Sequence, residues 1–308
     1  MRIAILGATS QIARDLIMSF SAELEADLVL FGRDKERIVG WLQQKLQKTN
    51  SEVKSYEEFK VTDHFDAIIN FVGSGDPAKT EQLGPKILDI TREFDDLAMS
   101  YVKANDQCKY IFLSSGAVFG SDFTDPVSEN SVAKFRLNQL TTSNWYGFSK
   151  AYAECIHRAH ASLPIVDVRV FNYFSHSQDI TAKFFISQII QAVFNRKSLS
   201  ISPEPMVRDY LGDEDFFQLI KKILQHEYVN VPIDCYTRSP STKQEILNYF
   251  KLEHHLNYNL DDGGLKHLAT GEKKNYYSIN KAAEKFGYKP LFSSIESIKN
   301  GFIAIKSR

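Results

Sequence analysis

The first 170 residues alternate short, almost wholly apolar runs with longer amphipathic stretches, and few architectures accept that pattern. IAIL (Ile3 to Leu6), DLVLF (Asp27 to Phe31), DAIINFV (Asp66 to Val72), KYIFLSS (Lys109 to Ser115) and PIVDVRVF (Pro164 to Phe171) read as buried strands, with a weaker one near EVKSY. Between them, Ile12, Leu16 and Phe20 recur at helical spacing, KERIVGWLQQKL reads as a second helix, and residues 86–104 set Ile87, Ile90, Phe94, Leu97 and Tyr101 three and four apart. Apolar strands alternating with helices require a parallel sheet covered on both faces. The expected fold class is therefore α/β, a doubly wound parallel sheet of the Rossmann type. Such sheets bind ligands at the carboxyl ends of their strands, so the residues just after each strand matter most.

Several function classes drop out early. The formal charge is −1 with both signs interspersed, which gives neither a nucleic-acid stripe nor a polybasic membrane patch. The three cysteines, Cys108, Cys155 and Cys235, are not spaced as metal ligands, so reduced thiols are expected, with no metal site and no disulfide framework. MRIAIL is too short to span a bilayer and runs into Gly, Ala, Thr and Ser, a poor signal peptide. A cytoplasmic location is expected. His254 and His255 lie in a polar stretch and read as solvated surface.

The first strand ends in Gly7-Ala8-Thr9-Ser10-Gln11-Ile12-Ala13, a tight turn opening a helix. A helix start offers N–H groups and partial positive charge to a pyrophosphate. Of the three glycines in the dinucleotide fingerprint only Gly7 is present; Ser10 and Ala13 replace the others. The second strand ends in Phe31-Gly32-Arg33-Asp34. Gly32 stands where an acid would meet a free ribose hydroxyl, and the Arg33 guanidinium suits a ribose phosphate. That favours NADP; NAD stays open, because Asp34 could turn inward. The third long run ends in Asn70-Phe71-Val72-Gly73-Ser74-Gly75, whose small residues let a backbone approach a flat adenine or ribose, and the next in Ser114 and Ser115, whose hydroxyls are expected in the same crevice.

Tyr146 and Lys150 stand one helical turn apart in NWYGFSKAYAE. Spacing alone says little, since Tyr56 with Lys60 and Tyr277 with Lys281 share it among the fourteen tyrosines. Beyond Phe171 the texture changes. KFFISQIIQAVFN is helical, SLSISPEP extended, VRDYLGDEDFFQLIKKIL and YVNVPIDC read as strand, helix and strand, and the polar C-terminal stretch carries a turn at residues 261–264.

Taken in order, the Gly7 turn, IINFVG, FLSSGAVFG, YGFSK, RVFN, RDYLGDED and INKAAEKFGYKP make the chain similar to the extended short-chain dehydrogenase/reductase family, more narrowly to its nucleotide-sugar epimerase/dehydratase/reductase group. The resemblance runs nearly the whole length. It implies Ser115, Tyr146 and Lys150 as catalytic groups, and it assigns Tyr56 and Tyr277 to the surface. It implies a dinucleotide held by Gly7, Thr9, Ser10, Gln11, Ile12, Gly32, Arg33, Phe71, Val72, Gly73, Ser114 and Lys150. Asn172 and Arg208 would contact the diphosphate of a nucleotide sugar; the plainer alternatives are a turn cap and a strand-end charge. Residues 1–172 and 208–238 would form the dinucleotide-binding domain, with 173–207 and 239–308 as the substrate-binding region. The family often dimerises by helix pairing, and the expected helices are those near Ile87 to Tyr101 and after Tyr146.

An ammonium within ~4–6 Å of a phenol, at an effective dielectric of ~20, would stabilise the phenolate by roughly 3–4 kcal/mol, or about 2–3 pKa units. Tyr146 would then titrate near working pH as a general acid or base. The family's dehydratases carry an acidic pair after the catalytic hydroxyl residue, but Gly116 and Ala117 follow Ser115. Reduction of a keto sugar nucleotide is expected first, NAD-dependent epimerisation second, and a non-catalytic dinucleotide sensor third.

Overall fold

The computed structural model describes residues 1–23, 26–46, 51–261 and 273–307. The chain runs β1 (Arg2–Leu6), α1 (Gln11–Glu23), β2 (Asp27–Phe31), α2 (Lys35–Lys45), β3 (Glu52–Lys54), β4 (Ala67–Asn70), α3 (Pro77–Leu83), α4 (Lys86–Ala104), β5 (Lys109–Ser115), α5 (Thr142–Ala159) and β6 (Ile165–Val170). It continues through β7 (Asn172–Tyr173), α6 (Phe185–Asn195), β8 (Leu199–Ile201), β9 (Val207–Arg208), β10 (Tyr210–Leu211), α7 (Asp213–Gln225) and β11 (Val231–Asp234). The described residues end with β12 (Ser241–Thr242), α8 (Lys243–His254), β13 (Tyr258–Leu260), β14 (Asn275–Tyr276) and α9 (Ser294–Lys306). Residues 262–264 of the expected C-terminal turn lie outside the described residues.

Seven parallel strands form the main sheet in the order β11-β6-β5-β4-β1-β2-β3. Side chains alternate across it, so β1 feeds two cores. Ile3 and Ile5 join Leu16, Phe20, Phe216, Phe217 and Ile220 on the α1/α7 face. Ala4 and Leu6 join Tyr101, Val102 and Ala153 on the α4/α5 face. A third cluster belongs to α6, α8 and α9 around Ile190, Phe250 and Phe302. Ala283, Phe286 and Tyr288, late in the chain, pack back into the α1/α7 core.

Polar anchors fix how these layers sit. Lys109 on β5 is buried, and its Nζ donates to the Ile223 and His226 carbonyls at 2.6 Å, closing the C-terminal end of α7 where carbonyls lack helical partners. Asp15 on α1 accepts hydroxyl hydrogen bonds from Tyr173, Ser175 and Ser177 at 2.8, 2.6 and 2.8 Å, which ties the first helix to the segment after β6. His254 packs its ring 4.5 Å from Phe302 and is half-buried, so of the expected surface pair only His255 is exposed. Cys108 and Cys235 are buried and Cys155 is exposed. Among the described residues no helix is long and apolar enough to cross a membrane.

Helix α5 is seated by a glycine. A Cβ on Gly147 would stand 2.4 Å from the Ala117 carbonyl oxygen, so α5 lies directly on the turn that follows β5. Gly147→Ala is expected to push that helix off its seat and cost about 1–3 kcal/mol. A fall in thermal midpoint, with full recovery in wild type, is the measurement that checks it.

Candidate active site

The expected site residues gather along the carboxyl edge of the sheet, where β1, β2, β4 and β5 end. Gly7 takes φ +79°, a conformation open to glycine, and a Cβ there would be 2.9 Å from the Phe71 carbonyl carbon. That close approach draws the β1 and β4 ends together. Ser10 then starts α1: its Oγ accepts from Ala13 N at 3.3 Å and its carbonyl from Arg14 N at 3.0 Å. Its hydroxyl therefore turns back onto the helix, leaving the Gln11 and Ile12 amides at the helix opening, where N–H groups lack intrahelical partners. Gln11 Nε2 reaches Ser175 Oγ and Gln178 Oε1, both at 3.3 Å, and Thr9 lies half-buried in the same turn.

At the end of β2, Gly32 is buried and Arg33 is exposed. Asp34 does not turn inward: its carboxylate caps α2 by accepting from Arg37 N at 3.0 Å. Tyr56, assigned to the surface from sequence, is instead half-buried across the Gly7 turn. Its hydroxyl accepts from Gly7 N at 3.0 Å, and its ring lies 4.4 Å from Phe94. Burial, partly offset by that amide and by Arg33, pushes its phenol up to about 12. Tyr277, the other discounted tyrosine, is half-buried as well.

At the end of β4, Phe71 is buried, Val72 N donates to Asn70 Oδ1 at 2.9 Å, and Gly73 faces Lys150, whose Nζ would stand 3.5 Å from a Cβ placed there. Lys150 is 3% exposed, donates to the Leu113 carbonyl at 2.8 Å and rests 4.2 Å over the Phe112 ring. Burial lowers its ammonium to about 8, against the opposing pull of Asp95, Asp167 and Glu154. Tyr146, on the same face of α5, has its phenol raised by burial, with hydrogen bonding to Ser115 partly offsetting that. The expected depression of the Tyr146 phenol by Lys150 is therefore not found. The ammonium is committed to the Leu113 carbonyl and the Phe112 face rather than to the phenol.

The two serines at the end of β5 part company. Ser114 is turned into the protein, donating to Glu154 Oε1 at 2.6 Å, and so does not face the crevice as expected. Ser115 faces it, 3.2 Å from the hydroxyl of Tyr276, a residue that sequence reasoning missed. Tyr276 is 3% exposed, held by Phe123 at 4.7 Å and Phe171 at 5.3 Å, and its phenol lies well above its ordinary value through burial. Asn172 and Arg208 converge on the same residue. Asn172 Nδ2 donates to the Tyr276 carbonyl at 3.0 Å, and the Arg208 guanidinium sits 5.9 Å over its ring while donating to the Val207 carbonyl at 2.8 Å. Arg208 is 2% exposed, and burial lowers it to about 10. Lys273, also missed, lies 4.2 Å over the Tyr276 ring, and burial reinforced by Arg208 lowers it to about 7. The signal available in sequence was the aromatic and basic run KKNYY just ahead of INKAAEKFGYKP.

These residues fit a dinucleotide: a glycine turn whose close approach leaves no room for a side chain, a helix start beside it, and a buried lysine facing the adjoining strand end. Among the described residues no cluster of His, Cys, Asp and Glu could hold a metal ion.

The same molecule is similar across its whole length to solved enzymes. A dTDP-glucose 4,6-dehydratase from Bacillus anthracis, in complex with NAD, shares 15% identity and a TM-score of 0.75, covering 100% of this chain and 97% of that one. A UDP-glucuronic acid 4-epimerase from Bacillus cereus, in complex with UDP-glucuronic acid and NAD, shares 16% identity and a TM-score of 0.77, at 100% and 99% coverage. A UDP-glucose 4-epimerase from Bifidobacterium longum, in complex with NAD+ and UDP, shares 18% identity and a TM-score of 0.74, at 100% and 98% coverage. No curated protein matches the sequence itself. Residues 3–233 match the NAD dependent epimerase/dehydratase family model. With three quarters of its length matching that model, and with a seven-stranded parallel sheet carrying Ser115, Tyr146 and Lys150 at its carboxyl edge, the chain belongs to the NAD dependent epimerase/dehydratase family.

Proposed function

We propose that the protein reduces a keto group on a nucleotide-activated sugar, with NADP as the preferred dinucleotide. The observation that carries this reading lies at the end of β2, where Arg33 is exposed while Asp34 is held as the α2 cap, an arrangement suited to the ribose phosphate of NADPH, the dinucleotide that favours net reduction. Burial raises the Tyr146 phenol, in keeping with a proton donor beside Ser115.

Gly7, the opening of α1, Gly32, Arg33, Phe71 to Gly73 and Lys150 would hold the dinucleotide, which supplies the hydride when bound. Ser115 would donate a hydrogen bond to the substrate oxygen and fix its position, a contact that strengthens as charge builds there. Tyr146 would deliver the proton to the same oxygen. Lys150 would hold ribose hydroxyls, with its charge sustained by the surrounding carboxylates. Arg208 and Lys273, flanking the Tyr276 ring, would receive the diphosphate, and residues 173–207 with 239–308 would enclose the nucleotide sugar.

Two features bear on the finer choice. Asp34 is engaged as the α2 cap while Arg33 is exposed, which supports a ribose phosphate over a bare ribose. Water elimination is disfavoured sterically as well as chemically: a Cβ on Gly116 would lie 2.3 Å from the Phe171 ring, so no carboxylate fits after Ser115. Epimerisation is the second reading, favoured by the UDP-sugar 4-epimerases among the structural relatives.

Tyr146→Phe should lower kcat by about 10²–10⁴-fold while leaving dinucleotide affinity within a few-fold; turnover that survives the change defeats the assignment of the acid. A panel of keto and ordinary sugar nucleotides, tested with both reduced dinucleotides, separates the readings. Oxidation of NADPH by a keto sugar is the expected result, and Arg33→Ala should erode the preference for NADPH over NADH. Retained NAD released on denaturation, with interconversion of sugars and no net oxidation, would select the epimerase. The reading also includes a homodimer through α4 and α5, where Tyr152 is 49% exposed; light scattering is expected to give twice the chain mass of 35.2 kDa.

A further inference from the structure

Beneath the catalytic helix lies a buried charge cluster that the proposed chemistry leaves unused. His157 is 0% exposed and gripped by two carboxylates: its Nδ1 is 2.6 Å from Asp167 Oδ1, and its Nε2 is 2.8 Å from Asp95 Oδ1. Arg158 Nη2 donates to the other Asp167 oxygen at 2.8 Å. The Tyr110 hydroxyl donates to Asp95 Oδ1 at 2.8 Å and accepts from Asn70 Nδ2 at 2.9 Å. One imidazole thus joins α4, α5, β5 and β6. Burial opposes its charge, but Asp167 first and Asp95 after it prevail and push the ring up to about 9. At neutral pH both ring nitrogens therefore donate.

The cluster reaches the active site through a single ring. Lys150 Nζ lies 4.2 Å from the centroid of Phe112, and the His157 ring lies 5.2 Å from that same centroid, edge-on at 79°. Lys150, Glu154 and His157 follow one another at four and three residues on the buried face of α5. The other groups facing the lysine are accounted for. Glu154 is bound to Arg169, as close as 2.5 Å, and to Ser114. Asp95 comes from α4, Asp167 and Arg169 from β6, Tyr110, Ser114 and Ser115 from β5, and Tyr146 and Arg158 from α5 itself. Glu154 is paired with Arg169, which also holds the buried Asp234; beyond that group, Asp95 and Asp167 are the carboxylates that act on the ammonium, and His157 lies between them.

We propose that the Asp95–His157–Asp167 cluster is a charge-setting and positioning unit for Lys150, its two carboxylates holding the lysine charged and its imidazolium limiting how strongly they do so. The inference deepens the proposed function and rests on it for the meaning of Lys150, but not for the coupling itself. The histidine lies within about 10 Å of the ammonium across a ring that excludes water, where a unit charge at an effective dielectric of about 20 shifts a titration by about one pH unit.

The coupling has a signature that mere structural support lacks: removing opposite charges from one cluster must move Lys150 in opposite directions. Lysine 13Cε signals, titrated in the full-length protein without ligand and assigned by the loss of one signal in Lys150→Met, read this directly. His157→Gln should move the Lys150 midpoint up by about one pH unit, and Asp95→Asn should move it down by a similar amount. His157→Asn and Asp167→Asn give the same pair of signs where either first variant fails to fold. Shifts of the same sign, or none, overturn the proposal. The alkaline limb of dihydronicotinamide dinucleotide binding, followed by fluorescence, should move with the lysine in each variant. A lysine midpoint that moves in both directions over an unmoved binding limb upholds the coupling and removes Lys150 from the cofactor site instead.

Discussion

Burying both faces of a seven-stranded parallel sheet leaves the chain one place to do chemistry. Strands β1, β2, β4, β5 and β6 each feed the α1/α7 core with one set of side chains and the α4/α5 core with the other. Polar groups are then tolerated at the strand ends or where charge partners hold them. Gly7 and Phe71 to Gly73 sit just past the last paired residues of their strands, and Ser115 is the last paired residue of β5. The same demand makes the glycine at position 7 indispensable, since the close approach of β1 and β4 that shapes the crevice has no room for a side chain.

The buried lysine is the tension in the design. Lys150 is as deeply enclosed as the core, yet its proposed work needs a positive charge. Desolvation alone would neutralise it. The chain answers with a carbonyl, an aromatic face and a set of buried carboxylates, each already partnered by Arg169 or His157. A buried ion cluster of this kind is weak as a source of stability; its value lies in where it holds the ammonium. Tyr146, by contrast, stays a neutral phenol, so the two residues one turn apart act through different surroundings rather than through each other.

Much of the layout was legible in the sequence because strand burial writes itself as unbroken apolar runs. The five long strands and the helices at residues 86–104 and after Trp145 follow from that alone. The proposed trio of Ser115, Tyr146 and Lys150 could be singled out only by register: three tyrosines have a lysine four residues on, and order relative to Ser115 chose among them. What stayed hidden depends on long-range approach. Tyr276 stands 161 positions from the serine it touches, and nothing local to KKNYY says which cleft it enters. Tyr56 reads as surface because it precedes the serine-bearing strand, yet its ring turns inward onto Phe94. His157 had one readable trace, a polar stripe with Lys150 and Glu154 on what is otherwise the inward face of an amphipathic helix.

The contact between Gly116 and Phe171 sets a boundary on what this scaffold can be turned into by protein engineering. Grafting an acidic side chain after Ser115 requires moving the phenyl ring that fills its space. That ring also shores up Tyr276, which in turn meets the serine hydroxyl. A side chain introduced at Gly116 would therefore be felt at Ser115 through Phe171 and Tyr276, two residues from distant parts of the chain.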